Sequence, residues 1–134
     1  MFGEIDLIMI TEDYVSFEIS KLLKEKGFDI PLNYFYNSDG RKCYATSYNW
    51  NQTTGDFPDY SCPTLQMVMK WLREVHSLYI DIVTSFSQDG ICYTFSCSNT
   101  MDLIQGTKGT SYHEYQTYEE AAEAAIKYCL ENLI

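Results

Sequence analysis

The sequence predicts an α+β fold in which three helices pack on a mainly antiparallel sheet of about four or five strands. Three observations support this prediction. Apolar residues recur at helical spacing in three segments, and runs of β-branched or alternating residues lie between these segments. Asp-Gly pairs at 39–40 and 89–90 are typical of hairpin turns. The predicted order is α-β-β-α-β-β-(β)-α.

The first two helices are predicted from their apolar stripes and their capping residues. The first is expected to begin after Thr11 and to end at Gly27, because glycine readily terminates a helix. The second is expected to begin near Ser61, with Pro63 in its first turn, and to end near Ser77. The stripe of each helix follows the helical repeat, as Val15, Ile19, Leu22 and Leu23, and as Leu65, Val68, Met69, Leu72 and Val75.

The third helix has the strongest start signal. Thr117 and Glu120 have the spacing of a capping box, in which the hydroxyl accepts from the third amide and the carboxylate bonds back. One face then carries small and apolar residues, namely Tyr118, Ala122, Ala125, Ile126, Cys129 and Leu133. The alanines indicate close packing of this helix on its neighbour.

The strands are predicted as two hairpins and one further segment. Residues 33–36 and 42–48 flank the turn at Asp39–Gly40, and residues 79–86 and 91–97 flank the turn at Asp89–Gly90. Residues 101–105 are predicted as an additional strand. The offset between the two turns equals the offset between the two predicted helix starts, which suggests two helix–hairpin units followed by a closing helix.

Composition favours one domain over residues 1–134, with residues 1–11 as a leader segment. The chain has 9 basic and 19 acidic residues and a net charge of −10, which disfavours direct binding to nucleic acid. Its apolar runs are too short for a membrane span. The acidic start and the odd number of cysteines, five, favour a cytoplasmic protein with reduced thiols.

Three blocks of sequence, at 15–28, 63–76 and 118–126, carry a family resemblance. The first includes Val15 to Glu18 and the run from Lys21 to Phe28, the second begins Pro63-Thr64-Leu65-Gln66, and the third begins at Tyr118. Together they resemble a group of short uncharacterised proteins of gut Bacteroidetes and their phages or mobile elements. The resemblance implies a small cytoplasmic α+β protein, and it implies no activity, cofactor or catalytic residue.

Signals for chemistry are sparse. The closest cysteines, Cys92 and Cys97, do not have the spacing of a zinc site, so no metal or other cofactor is expected. An enzyme hypothesis uses Cys62, placed at the start of the second helix, as a nucleophile with His113 as its base. The alternative is that Cys62 is a partly buried loop residue.

Aromatic residues make up 16% of the chain and indicate a binding surface. Trp50, Phe57 and Tyr60 lie in a polar loop, and Met67 and Trp71 share one side of the second helix. The leading hypothesis is a non-enzymatic module that uses these residues to bind a protein partner or a second copy. The alternatives are that the loop folds onto the domain and that the helix is covered on two sides within the fold.

A third hypothesis follows from the acidic residues along the first and third helices. These residues are expected to be solvated, but they also suit a mimic of nucleic acid that binds a basic protein.

Overall fold

The computed structural model describes residues 10–105, 109–110 and 113–134, and it confirms the α+β class. The described helices are α1 (Phe17–Glu25), α2 (Leu65–His76), α3 (Thr100–Gln105) and α4 (Tyr118–Asn132), with a 3-10 turn at Trp50–Gln52. The described strands are β1 (Leu32–Tyr36), β2 (Lys42–Tyr48), β3 (Tyr60–Ser61), β4 (Leu78–Ser87), β5 (Gly90–Asn99) and β6 (Gly109–Thr110). The strands form two antiparallel sheets, ordered β2-β1-β3 and β4-β5-β6, instead of the one sheet expected.

The predicted start of α1 at Thr11 is wrong. Ser16 caps the helix by accepting a hydrogen bond from the amide of Ile19 at 3.3 Å. The residues before Ser16 are extended because they pair with another segment, and the amide of Val15 donates to the carbonyl of Pro63 at 3.0 Å. The predicted end is confirmed, since Gly27 has a φ of +88°, a conformation that glycine adopts readily.

The predicted start of α2 is also wrong. Thr64 caps the helix by accepting from the amide of Met67 at 3.1 Å, so Cys62 and Pro63 precede α2. Ser61 belongs instead to β3, which pairs with β1, and the amide of Ser61 donates to the side chain of Asn51. The predicted end is confirmed at Ser77, which has a φ of +53°.

The start of α4 follows the prediction, but Tyr118 and Leu133 of the predicted apolar face are 36% and 41% exposed. The hydroxyl of Thr117 accepts from the amide of Glu120 at 3.1 Å. Three alanines of α4, Ala121, Ala122 and Ala125, are fully buried and allow the helix to approach β4, β5, α1 and α2 closely. The buried residues of the helix are Ala121, Ala122, Ala125, Ile126, Cys129 and Leu130.

Residues 101–105 form a helix, so the strand predicted there is wrong. The amide of Asp102 donates to the side chain of Asn99 at 2.8 Å, and the amide of Asn99 donates to the carboxylate of Asp102 at 3.2 Å. This reciprocal pair is a capping box built from Asn and Asp. It fixes the start of α3 directly after β5.

Both predicted hairpins are present. Gly40 and Gly90 follow the turn residues with φ of +82° and +108°, which explains why glycine is used at both turns. The amide of Asp39 donates to the side chain of Asn37. In the second hairpin the amide of Asp89 donates to Ser87. In both turns, therefore, the side chain two residues before the Asp accepts a hydrogen bond from the Asp amide.

The extended segments that precede α1 and α2 pair with each other, and they are separated in the sequence by the same number of residues as the two turns. Val15 donates to Pro63 at 3.0 Å, and Leu65 donates to Asp13 at 2.9 Å. These two hydrogen bonds are reciprocal. The strand orders differ, because β1 is central in the first sheet and β5 is central in the second. The predicted repeat thus matches the turns, but it matches neither the helix starts, at Phe17 and Leu65, nor the sheets.

A membrane-spanning helix is absent from the part of the chain that the structure describes. Among these residues, no helix combines the length and apolarity that a bilayer span requires.

Candidate functional site

A cleft of about 320 Å³ lies between the segment before α1, the β1–β2 hairpin and the start of α2. Its walls include three tyrosines, Tyr14, Tyr34 and Tyr44, together with Met67 and Cys62. We call it the tyrosine cleft. It brings three aromatic side chains with exposed or partly exposed surface together around one cavity.

Strand pairing positions the tyrosines. Tyr34 of β1 lies opposite Tyr44 of β2, so both side chains lie on the same face of the sheet. Their ring centroids are 5.0 Å apart, and the Tyr14 ring is 4.9 Å from that of Tyr34. Tyr44 is 71% exposed, whereas Tyr14 and Tyr34 are half-buried. The cleft therefore has a packed wall and an open aromatic rim.

A lysine lies against the aromatic wall. The ammonium of Lys42 is 3.4 Å from the centroid of Tyr14 and 4.9 Å from that of Tyr34, which is the geometry of a cation–π contact. Burial raises the pKa of Tyr14, and the neighbouring Tyr34 adds to this shift. The neutral phenol is therefore the stable form of Tyr14 at neutral pH, and the Lys42 ammonium occupies its ring face.

Cys62 lies at the base of the cleft and is buried. Its pKa is raised because burial outweighs the opposite effects of a hydrogen bond with Tyr36 and of the Lys42 charge. The sequence placed Cys62 at the start of α2, where the helix N-terminus would lower its pKa. Cys62 instead precedes the capping residue Thr64 and lies outside the helix. A raised pKa disfavours the thiolate that a cysteine nucleophile requires.

His113 does not share a cavity with Cys62. It lines a separate cavity beside Glu120 and Glu123, and its ring contacts Tyr115 at 4.5 Å between centroids. The carboxylate of Glu123 also accepts from the amide of Ser16 at 3.2 Å. The structure therefore does not bring together the cysteine and histidine proposed for catalysis.

The two candidate residues of α2 have different positions. Met67 lines the tyrosine cleft and is partly buried. Trp71 is only 4% exposed, and its ring packs on Phe28 at 5.3 Å and on His76 at 4.7 Å between centroids. Trp71 is therefore covered within the fold and has almost no surface to offer a partner, whereas Val75 of the same apolar arc is 61% exposed.

The loop at 49–60 places most of its aromatic residues on the domain. The indole of Trp50 donates to the carbonyl of Leu32 at 2.7 Å and stacks on Phe35 with centroids 4.0 Å apart. Tyr60 belongs to β3, and its ring contacts Phe17 at 5.5 Å. Phe57 is the exception, because it is 82% exposed. These contacts favour the alternative that the loop folds onto the domain over a free binding loop.

Polar contacts hold the same loop in place. The ammonium of Lys24 donates to the carbonyls of Thr53 at 2.6 Å and Asp59 at 2.8 Å. The side-chain amide of Asn51 donates to the carbonyl of Phe28 at 2.8 Å and accepts from the amide of Ser61 at 2.9 Å. The loop is therefore part of the scaffold that carries β1 and β3.

The sequence did not single out Tyr14, Tyr34, Tyr44 or Lys42. The turn at Asp39–Gly40 would have placed Tyr34 close to Tyr44 across the hairpin, but no local signal places Tyr14 beside them. Within the described ranges 10–105, 109–110 and 113–134, no group of three or more His, Cys, Asp or Glu side chains is arranged to hold a metal ion.

Comparisons with protein-family models, with curated proteins and with solved structures found no match to this chain. The tyrosine cleft itself therefore supplies the best indication of function.

Proposed function

We propose that the protein is a non-enzymatic interaction module that binds a segment of a partner protein in the tyrosine cleft. The observation that carries this proposal is the grouping of Tyr14, Tyr34, Tyr44 and Met67 around one open cavity. Tyrosine and methionine are enriched in the cores of protein interfaces, and rigid aromatic rings lose little entropy on binding. From the resemblance described above, we further propose a cytoplasmic accessory role in a host or mobile element.

Charge indicates the kind of segment that would bind. The chain has a net charge of −10, and the exposed Glu12 and Asp13 directly precede Tyr14. The Lys42 ammonium already covers the ring face of Tyr14, so a cationic ligand would meet the aromatic wall at Tyr44 instead. The exposed ring of Tyr44 offers a similar face to a guanidinium or ammonium group from outside. The proposed ligand is therefore a segment that carries Arg or Lys beside an apolar residue.

The enzyme alternative has weaker support. A cysteine nucleophile requires a lowered pKa and a base within hydrogen-bond distance. The pKa of Cys62 is raised, and its polar neighbours are Tyr36 and the carbonyl of Val15 instead of a histidine. Titration of the Cys62 thiol with an alkylating reagent tests this directly, since a rate at pH 7 above that of a simple thiol would favour the enzyme.

A selection from a library of linear peptides tests the binding proposal. We expect enriched peptides to contain Arg or Lys, and we expect Tyr44→Ala to weaken their binding about tenfold or more, which corresponds to about 1.4 kcal/mol. Phe57→Ala is the matched control, because Phe57 is also strongly exposed but lies outside the cleft. Peptides whose affinity is the same for both variants would contradict the proposal, and so would a selection that enriches acidic peptides.

Self-association is a second candidate function, and the free edge of β4 favours it. Tyr93 of β5 exchanges two 2.8 Å hydrogen bonds with Tyr115, so its backbone groups point away from β4. Thr84 pairs with Tyr93 and therefore directs its own N–H and C=O to the opposite edge. Among the described residues, no strand pairs with that edge. β4 carries a single charge, at Asp81, and no proline, so it lacks the usual protection of edge strands.

A two-fold antiparallel pair of β4 strands satisfies these backbone groups. When the pair is centred on Val83, the exposed Phe86 faces Ile80 of the second copy, and Asp81 faces Ser85 instead of the second Asp81. The full length of β4, about 33 Å, suits a weak dimer.

Native mass spectrometry tests this interface. We expect a dimer that increases with concentration. Thr84→Pro should abolish the dimer, whereas Thr84→Val, which keeps the amide, should not. A dimer that persists in Thr84→Pro would exclude this interface.

The acidic-mimic hypothesis makes a different prediction. Glu12, Asp13 and Glu119 line one cavity of about 250 Å³. Glu18 is partly neutralised by Lys127, at 2.9 Å between the charged atoms. Binding of a DNA-binding protein should then weaken steeply with salt. Binding that is independent of salt, or no binding, would count against the mimic.

A further inference from the structure

Two buried cysteines lie side by side where α4 packs on β5. The sulfur atoms of Cys97 in β5 and Cys129 in α4 are 3.5 Å apart, and the Cys129 thiol donates a hydrogen bond to Cys97. The sulfur of Cys97 also lies 3.9 Å from the carbonyl oxygen of Ala125. The exposed fractions of the two cysteines are 5% and 0%. No hypothesis from the sequence assigned a role to this pair.

The separation of the two sulfurs is close to that of a disulfide. A disulfide bond is about 2.05 Å long, so the sulfurs would need to approach by about 1.5 Å. This movement requires side-chain rotation and a small shift of α4 relative to β5. We propose that Cys97 and Cys129 form a thiol modification site, which closes to an intramolecular disulfide by exchange with a small disulfide such as oxidised glutathione.

The exchange takes place in two steps. The Cys97 thiol loses its proton, and its sulfur attacks one sulfur of the small disulfide, whose S–S bond breaks and releases one small thiolate. The Cys129 thiol then loses its proton, and its sulfur attacks Cys97 and displaces the second small thiolate. The two released protons are taken up by the two small thiolates. The protein thus loses two electrons, and one small disulfide is reduced to two thiols.

The local contacts indicate which cysteine reacts first. The hydrogen bond from Cys129 lowers the pKa of Cys97, whereas that same bond and burial raise the pKa of Cys129. Cys97 is also the more exposed of the two. Cys97 is therefore the attacking residue and Cys129 is the resolving residue. Because both are buried, local separation of α4 from β5 should limit the rate.

The disulfide would connect α4 to the central strand of the second sheet. It would close a loop that contains α3 and β6, and this reduces the entropy of the unfolded chain. We expect the melting temperature to rise by about 10 °C in the oxidised protein. Oxidation would therefore stabilise the contact of α4 with β5.

The test uses the reduced full-length chain and excess oxidised glutathione, in buffer and in urea below the unfolding transition. Free thiols are then alkylated under denaturing conditions, and the disulfides are located by peptide mass spectrometry. We expect a Cys97–Cys129 disulfide in the wild type, a mixed disulfide with glutathione at Cys97 in Cys129→Ala, and no change in Cys43→Ala, the matched control.

Three results would overturn the proposal. The first is that Cys97 and Cys129 stay reduced in mild urea while the partly exposed Cys43 reacts. The second is that the disulfide joins other cysteines. The third is that the disulfide forms without a rise in melting temperature. If Cys129 in the Cys97→Ala variant reacted with glutathione at the rate of the wild type, Cys129 would be the attacking residue and the assigned order of attack would be reversed.

Discussion

Asn51 is expected to be one of the main polar supports of the fold. Its side chain joins the carbonyl of Phe28 at 2.8 Å to the amide of Ser61 at 2.9 Å. Both partner residues are buried, with exposed fractions of 1% for Phe28 and 0% for Ser61. Asn51→Ala would leave one acceptor and one donor without a partner, and each such loss costs about 1–3 kcal/mol. We therefore expect the free energy of unfolding to fall by about 2–4 kcal/mol.

Urea denaturation followed by tryptophan fluorescence measures this change, because Trp50 is adjacent to Asn51 and Trp71 is in the core. Asn33→Ala is the matched control. Asn33 also donates to a carbonyl, that of Ala45 at 2.9 Å, but this bond is exposed, so its loss should cost less than about 1 kcal/mol. Equal destabilisation by the two variants, or a loss below about 0.5 kcal/mol in Asn51→Ala, would refute the view that the 49–60 loop is structural.

Three further predictions follow from individual contacts. Trp71→Ala should lower the free energy of unfolding in urea by about 3–5 kcal/mol, because the ring is buried; a loss below about 1 kcal/mol would contradict this. Gly40→Ala should lower the melting temperature more than Gly55→Ala, and equal losses would contradict this. Both positions have positive φ, but a Cβ at Gly40 would lie 3.0 Å from Phe17, whereas nothing lies within 4 Å at Gly55. Burial raises the pKa of Tyr36 above the ordinary value of 10.0, so the folded protein keeps a proton that the unfolded chain releases, and stability should fall as pH rises above about 10. Tyr36→Phe should flatten this fall in melting temperatures recorded from about pH 8 to 11, and an unchanged slope would exclude Tyr36 as its cause.

The elements whose signals are local could be predicted from the sequence. Thr117 and Glu120 fix the start of α4, and Gly40 and Gly90 mark both hairpin turns. The starts of α1 and α2 could not be predicted in this way. In each case a plausible capping residue lies several residues before the true start of the helix. The segments before the two helices are extended because Val15 pairs with Pro63, which is distant in the sequence, and this pairing prevents an earlier helix start.

The candidate site was less predictable than the fold. Of its residues only Met67 and Cys62 were singled out in advance, because the site depends on contacts between distant segments. Tyr14 reaches Tyr34 only after the segment before α1 pairs with the segment before α2. Trp71 was predicted to contact a partner, but a distant segment of the chain covers it. Its ring packs on Phe28, which lies in the loop after α1.

The central proposal is that the tyrosine cleft binds a basic segment of a partner. The most direct measurement is a titration of the 15N-labelled protein with a peptide from the selection, followed by two-dimensional NMR. We expect the largest amide shift changes at Tyr14, Tyr34, Tyr44 and Met67, and we expect Tyr44→Ala to reduce them at equal peptide concentration. Shift changes concentrated on α4, or spread evenly over acidic residues, would contradict the proposal and favour the acidic mimic.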